Sequence, residues 1–281
     1  MCKELVIIII PVYKDKMNNY EEVSFRQCLK ILNKYPITII CPKSLNTRQY
    51  TDISKEYNVL LKINLFDDLY FYNIDGYNKL MLSKFFYKTF ITYEYMLIYQ
   101  LDAYVFKDEL KHWCNQNWDY IGAPWFQNFG SYETGEKLMM IGNGGFSLRK
   151  TTALYNMLNY KHKLKKTNYL LKEMKDFSFK SIIIFLLKSL GYRNNAKYIV
   201  NRYIKMRANE DLFFSSEYTG SDIRLRIPKI ESAIGFSFDR SPAYLYKLNK
   251  NRLPFGCHGW HRNNDVYTDD VIEFWKEHIK F

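Results

Sequence analysis

Short apolar runs alternate with amphipathic helical patterns through the first part of the chain, and this alternation constrains the fold more than any other feature. Four runs are brief, rich in branched residues and bounded by polar residues, as buried strands are: 5–12, 37–41, 59–63 and 95–99. Between them, residues 21–33 and 77–90 place apolar side chains on one helical stripe. Strands that alternate with helices form a mainly parallel sheet with helices on both faces. We therefore predict an α/β fold whose ligand site lies at the carboxyl ends of the strands.

The second half of the chain is less regular, but no part of it has the composition of a linker. Strand-like runs at 120–123, 145–148 and 223–227 stand on either side of a basic segment, and an amphipathic stripe near the C-terminus predicts a final helix. With 12 Gly and 7 Pro in 281 residues, collagen-like and low-complexity structures are excluded. We predict one domain over residues 1–281, with a helical insertion at residues 161–207.

The positive charge of the chain is concentrated in that insertion. Lys and Arg number 41 against 29 Asp and Glu, which gives a net charge of +12. Residues 161–207 contain thirteen basic residues and only two acidic ones, so this segment alone carries +11. Its apolar run at 181–187 is too short to span a bilayer but long enough to lie among lipid headgroups. We predict that the segment docks on the anionic inner face of a bacterial plasma membrane, with a buried helix and a solvated basic flank as the alternative.

The sequence predicts a cytoplasmic protein that is at most peripheral to a membrane. Its longest apolar runs fall well short of the roughly 20 residues that a bilayer requires. The run at 5–12 is not followed by the small-residue cleavage site of a signal peptide. The 5 Cys are odd in number and scattered, so they indicate neither a disulfide framework nor a zinc site.

Four blocks of residues carry the candidate chemistry, and the usual markers of dinucleotide, P-loop, zincin and serine-hydrolase sites are absent from the sequence. The blocks contain the strand-end Asp102, the glycine-rich stretch 142–145, the adjacent carboxylates Glu210 and Asp211, and His258 in a small-residue loop. A strand-end Asp holds a divalent cation against a diphosphate, or it forms a turn with its own backbone. Adjacent carboxylates at a helix start act as a general base and its partner, or they cap the helix.

Together these blocks resemble the metal-dependent GT-A glycosyltransferase superfamily, from the start of the chain to about Arg262. The blocks LDAYVF, DYIGAPW, GNGGFSLR, NEDLFFS and HGWHR are most similar to an uncharacterised bacterial family of predicted glycosyltransferases. The resemblance implies a GT-A-like, mainly parallel sheet. It also implies transfer of a sugar from a nucleotide-sugar donor, for which we expect a UDP-sugar, to a glycan or lipid-linked acceptor. We expect this reaction to belong to capsule, lipopolysaccharide or other surface polysaccharide synthesis.

The resemblance assigns the donor and metal sites residue by residue. The first-strand end that meets the nucleotide base in these enzymes corresponds to Pro11, Val12 and Tyr13. The position of their D-x-D motif corresponds to Asp102, Ala103 and Tyr104. Their late metal-binding histidine corresponds to His258. Because oxygen and imidazole ligands suit hard and borderline divalent ions, we expect Mn²⁺ or Mg²⁺ to be held by Asp102 and His258.

One carboxylate of the D-x-D motif is missing from this chain. The triplet is Asp102-Ala103-Tyr104, or Gln100-Leu101-Asp102 if the register is moved back by two residues. In the second register Asp102 would ligate the metal directly, whereas in the first it would reach the ribose or a metal-bound water. The sequence is compatible with both registers.

The acceptor side is assigned from the acidic pair and the glycine-rich strand. Glu210 and Asp211 match the x-E-D base motif, and the resemblance implies inversion of the sugar, with Asp211 as the base and Glu210 orienting hydroxyl groups. Gly144 and Gly145 belong to a stretch that resembles the acceptor-side strand of these enzymes.

Three further residues are candidates for contacts with the substrates. Trp125 and Trp260 follow strand-like segments, where an indole stacks on a sugar ring or packs in the core. Lys84 lies on the predicted helix at 77–90, where it contacts the diphosphate or forms part of the solvated face.

Two other functional classes remain compatible with the sequence. The missing carboxylate permits a catalytically inactive sugar-binding protein on the same fold. The basic and aromatic residues interleaved in 161–207 permit a nucleic-acid-binding module, although no RNA- or DNA-binding motif is present. Nucleotide-sugar turnover would exclude the first class, and salt-dependent binding of oligonucleotides without turnover would favour the second.

Overall fold

The order of strands and helices follows the alternation of the apolar runs. The computed structural model describes residues 3–160, 163–174, 176–216, 224–262 and 269–280. The strands in these residues are β1 (Glu4–Pro11), β2 (Ile37–Pro42), β3 (Lys62–Phe66), β4 (Tyr93–Tyr99), β5 (Ala103–Val105), β6 (Tyr120–Ile121), β7 (Pro124–Phe126), β8 (Leu138–Ile141), β9 (Phe146–Lys150), β10 (Ser237–Phe238) and β11 (Gly256–His258). The α-helices are α1 (Asn19–Ile31), α2 (Arg48–Glu56), α3 (Ile74–Met81), α4 (Lys84–Thr89), α5 (Leu110–Asn115), α6 (Thr151–Leu158), α7 (Thr167–Lys172), α8 (Phe179–Ser189), α9 (Ala196–Met206), α10 (Glu210–Ser216), α11 (Ile230–Phe236), α12 (Pro242–Leu248) and α13 (Asp269–His278).

The central sheet has the strand order β3-β2-β1-β4-β9-β6. Strands β3, β2, β1 and β4 pair in parallel, whereas β9 runs antiparallel to both β4 and β6. In the middle of the sheet Ile8 lies beside Ile37 on one side and Leu97 on the other. The predicted α/β fold with a mainly parallel sheet is confirmed.

Both faces of this sheet are buried. Along β1, Ile8 and Ile10 pack in one apolar core with α1, while the alternate residues Ile7 and Ile9 pack in a second core with α3, α4 and α6. Successive side chains of a strand point to opposite faces, so a strand covered on both sides reads as a continuous apolar run. This is why β1 has no polar alternation in the sequence and why the prediction of helices on both faces is confirmed.

Three elements differ from their sequence predictions. The predicted helix at 77–90 is two helices, because the Ser83 side chain accepts a hydrogen bond from the Phe86 backbone N–H and caps a new helix. The predicted strand at 59–63 begins three residues late, since Asn58 is left-handed (φ 55°) and closes a turn after α2. The prediction of a strand at 223–227 is wrong over residues 224–227, which have no regular secondary structure. A backbone hydrogen bond from the Asp119 N–H to the Arg226 carbonyl connects them to the residues that precede β6. Ile223 lies outside the described residues.

A smaller sheet of order β10-β11-β5 connects the late part of the chain to the end of β4. Strand β11 runs antiparallel to β5 and places His258 opposite Ala103. The neighbouring Asp102 carbonyl accepts a hydrogen bond from the Gly259 backbone N–H at 2.8 Å. Pairing of these two short strands therefore brings residues more than a hundred positions apart to the edge of the central sheet.

The basic segment is helical where it is described. Helices α7, α8 and α9 account for most of residues 163–206, and no residue of α8 is buried. Among the described residues, no helix has the length and apolar character needed to cross a bilayer.

We expect Leu97→Ala to lower the free energy of unfolding by about 2–5 kcal/mol, because the cavity left by a fully buried leucine in the central strand cannot collapse easily. Urea unfolding of the two proteins measures the difference. The matched control is Leu60→Ala, since Leu60 is 87% exposed and its truncation should change the free energy by less than about 0.5 kcal/mol. Equal effects of the two substitutions would contradict the placement of β4 in the core.

Candidate functional site

A cavity of about 500 Å³ opens at the carboxyl ends of β1 and β4. In the central sheet, β2 lies on one side of β1 and β4 lies on the other. The connection that follows β1 leads to the β2 side, whereas the connection that follows β4 leads to the opposite side, so the two connections diverge. Such a switch point is where open α/β sheets bind ligands. Residues 11–14 and 100–102 line the cavity from the two strand ends, and His261 and Arg262 line it from the late loop.

The remaining wall of the cavity is rich in aromatic side chains and contains a charged pair. The aromatic residues are Tyr13, Tyr50, Tyr70, Phe71, Tyr72 and Tyr77. Lys14 Nζ lies 2.7 Å from Glu21 Oε1, and Glu21 also closes a capping box with Asn18 at the start of α1. The cavity therefore combines aromatic faces with charged groups held in place by helix capping.

Asp102 lies at the centre of a buried charge cluster. Its Oδ1 is 3.3 Å from His258 Nε2, and its Oδ2 forms an ion pair with Arg262. The Gln100 Oε1 atom lies 3.2 Å from the same His258 nitrogen. Burial alone would raise the pKa of Asp102, but the positive charges of His258 and Arg262 outweigh it and hold the pKa well below its usual range.

The other ring nitrogen of His258 faces two polar groups. His258 Nδ1 lies 3.4 Å from Asp239 Oδ1 and 3.0 Å from the Asn143 amide nitrogen. Burial would lower the pKa of His258, but the carboxylates of Asp102 and Asp239 raise it to about 9. The ring is thus held from both sides by four side chains that come from three different parts of the chain.

A turn at residues 142–145, which we call the glycine turn, packs directly against the functional side chains. A Cβ atom on Gly144 would stand 2.1 Å from Glu210 Oε1, and one on Gly145 would stand 2.0 Å from His258 Nε2. Asn143 is left-handed (φ 66°), and its Oδ1 accepts hydrogen bonds from the Gly145 and Phe146 backbone N–H groups. Glycine is required at these positions because real Cβ atoms do not approach other atoms this closely.

Glu210 is held in a buried ion pair with Arg149. The Arg149 Nη2 atom lies 2.8 Å from Glu210 Oε1, and both side chains are almost inaccessible to solvent. Arg149 also donates to the Gly144 carbonyl, the Ser147 hydroxyl and the Tyr87 hydroxyl. Since the charge is paired and the donors are satisfied, the buried guanidinium is tolerated in β9.

Asp211 lies beside the same turn. Its Oδ2 accepts from the Gly144 backbone N–H and its Oδ1 from the Leu212 backbone N–H, both at 2.8 Å. Burial and the adjacent Glu210 charge raise the pKa of Asp211 to about 7, although the two backbone bonds and Arg149 act in the opposite direction. A buried carboxyl that titrates near neutrality is suited to accepting a proton.

The structure places the predicted site residues in two groups. Pro11, Val12, Tyr13 and Asp102 line the cavity at the switch point. His258, Gly144, Gly145, Glu210 and Asp211 lie around the glycine turn and are not part of the cavity lining. A second cavity of about 860 Å³, lined in part by residues 139–141, Phe214 and Ser215, lies one helical turn beyond Asp211 on α10.

Five predicted contacts are not brought to the cavity: Lys84, Ala103, Tyr104, Trp125 and Trp260. Lys84 is the first residue of α4, and its Nζ is 3.4 Å from Asn159 Oδ1 at the surface. Ala103 and Tyr104 are buried in β5, and Trp260 packs edge-on against Tyr104 and Tyr20 in the core. Trp125 covers Gly142 instead. The indole rings therefore serve packing in this structure, which was the alternative for each.

Several residues of the site were not among the sequence candidates. Arg149 had a signal, because a charged residue in the strand-like block GNGGFSLR requires a buried partner. Gln100 appeared only as the first residue of the alternative triplet, and Arg262 only as the end of the last block. Nothing in the sequence pointed to Lys14 or Asp239 as site residues. Their partners, Glu21 and His258, lie beyond turns whose geometry the sequence does not specify.

The residues expected to hold a metal ion fit one in part. Among the described residues, no three His, Cys, Asp or Glu side chains form a group that could hold a metal ion. The Asp102 and His258 donor atoms, 3.3 Å apart, do match neighbouring ligands on one ion, since two bonds of about 2.1–2.2 Å at a right angle end about 3 Å apart. Asp102 and His258 therefore fit as two ligands of one ion, and the other ligands must be groups other than the His, Cys, Asp and Glu side chains of the described residues.

A sequence model with the description "Protein of unknown function (DUF5672)" matches residues 60–258. No curated protein matches the sequence.

Two solved structures are similar to the chain at low identity. S. aureus TarS residues 1–349, in complex with UDP-GlcNAc, is 13% identical over 54% of this chain and 47% of its own, with a TM-score of 0.36. The apo-form glycosyltransferase GlyE of Streptococcus pneumoniae TIGR4 is 9% identical over 99% of this chain and 65% of its own, with a TM-score of 0.46. The chain thus spans about half to two thirds of their lengths. TM-scores below 0.5 are too low to carry function from either enzyme to this chain.

We expect Gly144→Ala to lower the free energy of unfolding by about 1–3 kcal/mol, because the new methyl group overlaps Glu210, which Arg149 holds in place. Thermal and urea unfolding measure this loss. Gly235→Ala is the matched control, since Gly235 lies in α11 and a methyl group added there would stand 3.6 Å from its nearest neighbour, Trp113. That control should be neutral or gain up to about 1 kcal/mol from helix propensity. Tolerance of both substitutions would contradict the close packing of the glycine turn.

Proposed function

This chain belongs to the DUF5672 family, and we propose that it is a glycosyltransferase that moves a sugar from a nucleotide-sugar donor to a hydroxyl group of an acceptor. The observation that carries the proposal is the switch-point cavity, whose wall combines aromatic faces with the Asp102 cluster. A nucleotide sugar presents a flat base, a diphosphate and a sugar. Aromatic rings bind the first, and cationic groups bind the second.

The donor is a UDP-sugar in this proposal. Tyr13 is 59% exposed at the end of β1 and offers a face for the base. Lys14 and Arg262 both line the cavity and supply positive charge for a diphosphate that enters it. Both cations are now paired with carboxylates, so a diphosphate would compete with Glu21 and Asp102 for them.

The reaction requires one bond to form and one to break. The acceptor oxygen bonds to the anomeric carbon, the bond from that carbon to the diphosphate oxygen breaks, and the nucleoside diphosphate leaves with the electron pair. The hydroxyl proton passes to the Asp211 carboxylate. Attack from the face opposite the leaving group inverts the configuration at the anomeric carbon.

The environment of the acidic pair supports Asp211 as the base and gives Glu210 a positioning role. The Glu210 carboxylate is bound by Arg149, and the Glu210 backbone N–H donates to the Asn78 side chain, so Glu210 is held in place on both sides. Each oxygen of Asp211 accepts one backbone hydrogen bond and keeps a second lone pair. A second cavity lies next to α10, about one helical turn beyond Asp211, and we propose it as the place of the acceptor.

A divalent cation, Mn²⁺ or Mg²⁺, is part of this proposal, with Asp102 and His258 as its protein ligands. When bound, such an ion stabilises negative charge on a leaving diphosphate as a Lewis acid. Asp102 lines the donor cavity, and His258 lies directly behind it. The protein's own contribution is to hold these two donors at a fixed separation.

The acceptor is a glycan or a lipid-linked glycan of bacterial surface polysaccharide synthesis in this proposal, and the basic segment docks the enzyme where such acceptors are assembled. Helix α8 supports docking because its apolar side chains are exposed. Phe179 at the start of the helix is 80% exposed, and Leu190 just beyond its end is 85% exposed. Phe177, two residues before the helix, is exposed as well. The alternative of a buried helix does not fit these exposures. Lys180 and Lys188 flank the apolar run.

An anionic lipid surface is the partner that fits the charge of this segment. Basic residues far outnumber acidic ones between 163 and 207, so a second copy of the segment would repel the first. Exposed apolar side chains between lysines suit the boundary of headgroups and acyl chains, where each Lys or Arg contributes about 1 kcal/mol. We propose that α8 lies in the plane of that boundary, on the cytoplasmic leaflet.

We expect one nucleotide sugar, a UDP-sugar, to raise the melting temperature of the protein in the presence of Mn²⁺ and to be turned over to UDP when acceptor is supplied. Asp211→Asn should keep the donor-induced shift and lose about 10²-fold or more of kcat, because only the proton acceptor is removed. Since the base must be deprotonated and the pKa of Asp211 is raised to about 7, kcat/KM should rise with pH through about 7 and level off above it. A panel of nucleotide sugars followed by a pH profile measures each point.

Asp52→Asn, on the exposed surface of α2, is the matched control and should leave the pH profile unchanged. Normal turnover by a folded Asp211→Asn protein would show that Asp211 is not the base. Binding of a nucleotide sugar without any turnover would favour the inactive sugar-binding protein, and absence of binding across the panel would contradict the proposed function.

We expect the protein to co-sediment with vesicles that contain phosphatidylserine and to bind neutral phosphatidylcholine vesicles much more weakly, with binding that falls as salt is added. Lys180→Glu together with Lys188→Glu should lower vesicle affinity at least about tenfold, given about 1 kcal/mol for each Lys. Phe179→Asp should have a similar effect without loss of fold, because the side chain has little packing to lose.

Leu60→Asp is the control, since Leu60 is equally exposed but lies outside the basic segment. Equal binding to neutral and anionic vesicles would contradict electrostatic docking. Tighter binding to an oligonucleotide than to the anionic vesicles would favour the nucleic-acid-binding alternative.

A further inference from the structure

We infer that the side-chain oxygen of Gln100 is the third protein ligand of a divalent cation, together with Asp102 Oδ1 and His258 Nε2, and that Asp239 positions His258 for this role. The inference rests on the proposed function for the presence of a cation at Asp102 and His258. It assigns a direct bond to the ion to the neutral amide at the first position of the register Gln100-Leu101-Asp102, where the motif has its other carboxylate.

The two oxygen donors both lie close to the nitrogen donor, His258 Nε2. Gln100 Oε1 lies 3.2 Å and Asp102 Oδ1 lies 3.3 Å from His258 Nε2. These separations are close to the roughly 3 Å between neighbouring ligands on an octahedral ion with bonds of 2.1–2.2 Å. Oxygen and imidazole donors together suit Mn²⁺. Because Gln100 and Asp102 both line the cavity, an ion bound by these atoms would face a diphosphate in it.

The backbone around Gln100 holds its side chain at this place. The Gln100 N–H donates to the Gly145 carbonyl at 2.8 Å, and its carbonyl accepts from the Ala103 N–H at 2.8 Å. Residue 100 is therefore fixed at the end of β4 by the glycine turn on one side and by the turn into β5 on the other. A Cβ atom on Gly145 would stand 2.7 Å from Gln100 Oε1 as well as 2.0 Å from His258 Nε2. The absence of that atom leaves room for the donors to converge.

The second oxygen of Asp102 is engaged elsewhere. Asp102 Oδ2 forms its ion pair with Arg262, which leaves Oδ1 directed to the side of His258 and Gln100. The missing carboxylate of the motif is thus matched by an amide oxygen at the register Gln100-Leu101-Asp102.

Asp239 is a positioning residue in this site. To bind a cation through Nε2, a neutral imidazole carries its proton on Nδ1, and that proton needs an acceptor. Asp239 Oδ1, 3.4 Å from Nδ1 and buried after β10, accepts from that proton in this inference, and the Asn143 amino group, itself a donor 3.0 Å from Nδ1, has to turn away when Nδ1 carries the proton. A carboxylate behind a ligating histidine orients the ring and strengthens its bond to the metal.

The test is a titration of the purified protein with Mn²⁺ alone, followed by the electron paramagnetic resonance signal of the free ion. Gln100→Ala should weaken Mn²⁺ binding about tenfold or more, because one ligand is lost. Gln100→Glu should bind Mn²⁺ at least as tightly as the natural protein, since it restores a carboxylate oxygen at the same distance. Asp239→Asn should weaken binding about 10- to 100-fold, as loss of a group behind a ligand does.

Gln116→Ala is the matched control, because Gln116 is an exposed glutamine at the end of α5. Circular dichroism and melting temperature establish that each variant is folded. Unchanged Mn²⁺ affinity in folded Gln100→Ala would overturn the ligand assignment, and weaker binding by Gln100→Glu would assign Gln100 a purely structural role. Unchanged affinity in Asp239→Asn would overturn the positioning role.

Failure of this inference is distinguishable from failure of the proposed function. If the natural protein binds no Mn²⁺ and still turns over a nucleotide sugar in excess chelator, the metal site is wrong and the function stands, with Lys14 and Arg262 left to neutralise the diphosphate. If it binds Mn²⁺ with the expected pattern among the variants but binds no nucleotide sugar, the metal site stands and the function is wrong.

Discussion

The glycine turn packs so closely against Glu210, His258 and Trp125 that a side chain on Gly142, Gly144 or Gly145 would overlap them. The Gly144 N–H of the turn donates a hydrogen bond to Asp211. The Asn143 side chain of the same turn contacts the His258 ring through its amide nitrogen. Because the same four residues contact both groups, the acidic pair and the charge cluster have a fixed relative position. Any change that moves this turn is expected to disturb both at once.

The buried charges of the site are arranged so that each has a partner. Arg149 neutralises Glu210, while His258 and Arg262 neutralise Asp102. Removing one partner would leave an unpaired charge away from water, which costs about 3–5 kcal/mol. Asp211 is the exception, because its bonds are to backbone N–H groups and its immediate neighbour Glu210 carries the same charge. That difference raises the pKa of Asp211 towards neutrality and distinguishes it chemically from Glu210.

The predicted site residues that line the switch-point cavity are those at strand ends. Pro11 to Tyr13 and Asp102 follow β1 and β4, and parallel strands place their carboxyl ends on one edge whatever the details of packing. Trp125, Trp260 and Lys84 lie away from the cavity, because an indole after a strand and a lysine on a helix have the same pattern whether they face a ligand, the core or solvent. Periodicity gives the face of an element, but it does not give what lies opposite that face.

By itself the sequence determined the α/β class, the mainly parallel pairing of the first strands and the edge of the sheet where the cavity lies, because these follow from local apolar patterns and short connections. It also located the chemical groups, in the blocks around Asp102, the glycine turn, Glu210 and His258. Tertiary structure alone decided which of these groups are partners: that Gln100 and Asp102 both contact His258, that Asp239 lies behind His258, and that Arg149 holds Glu210. These contacts join residues as many as 158 positions apart. Such pairs depend on how sheets and helices pack in three dimensions, and no local pattern in the chain encodes that packing.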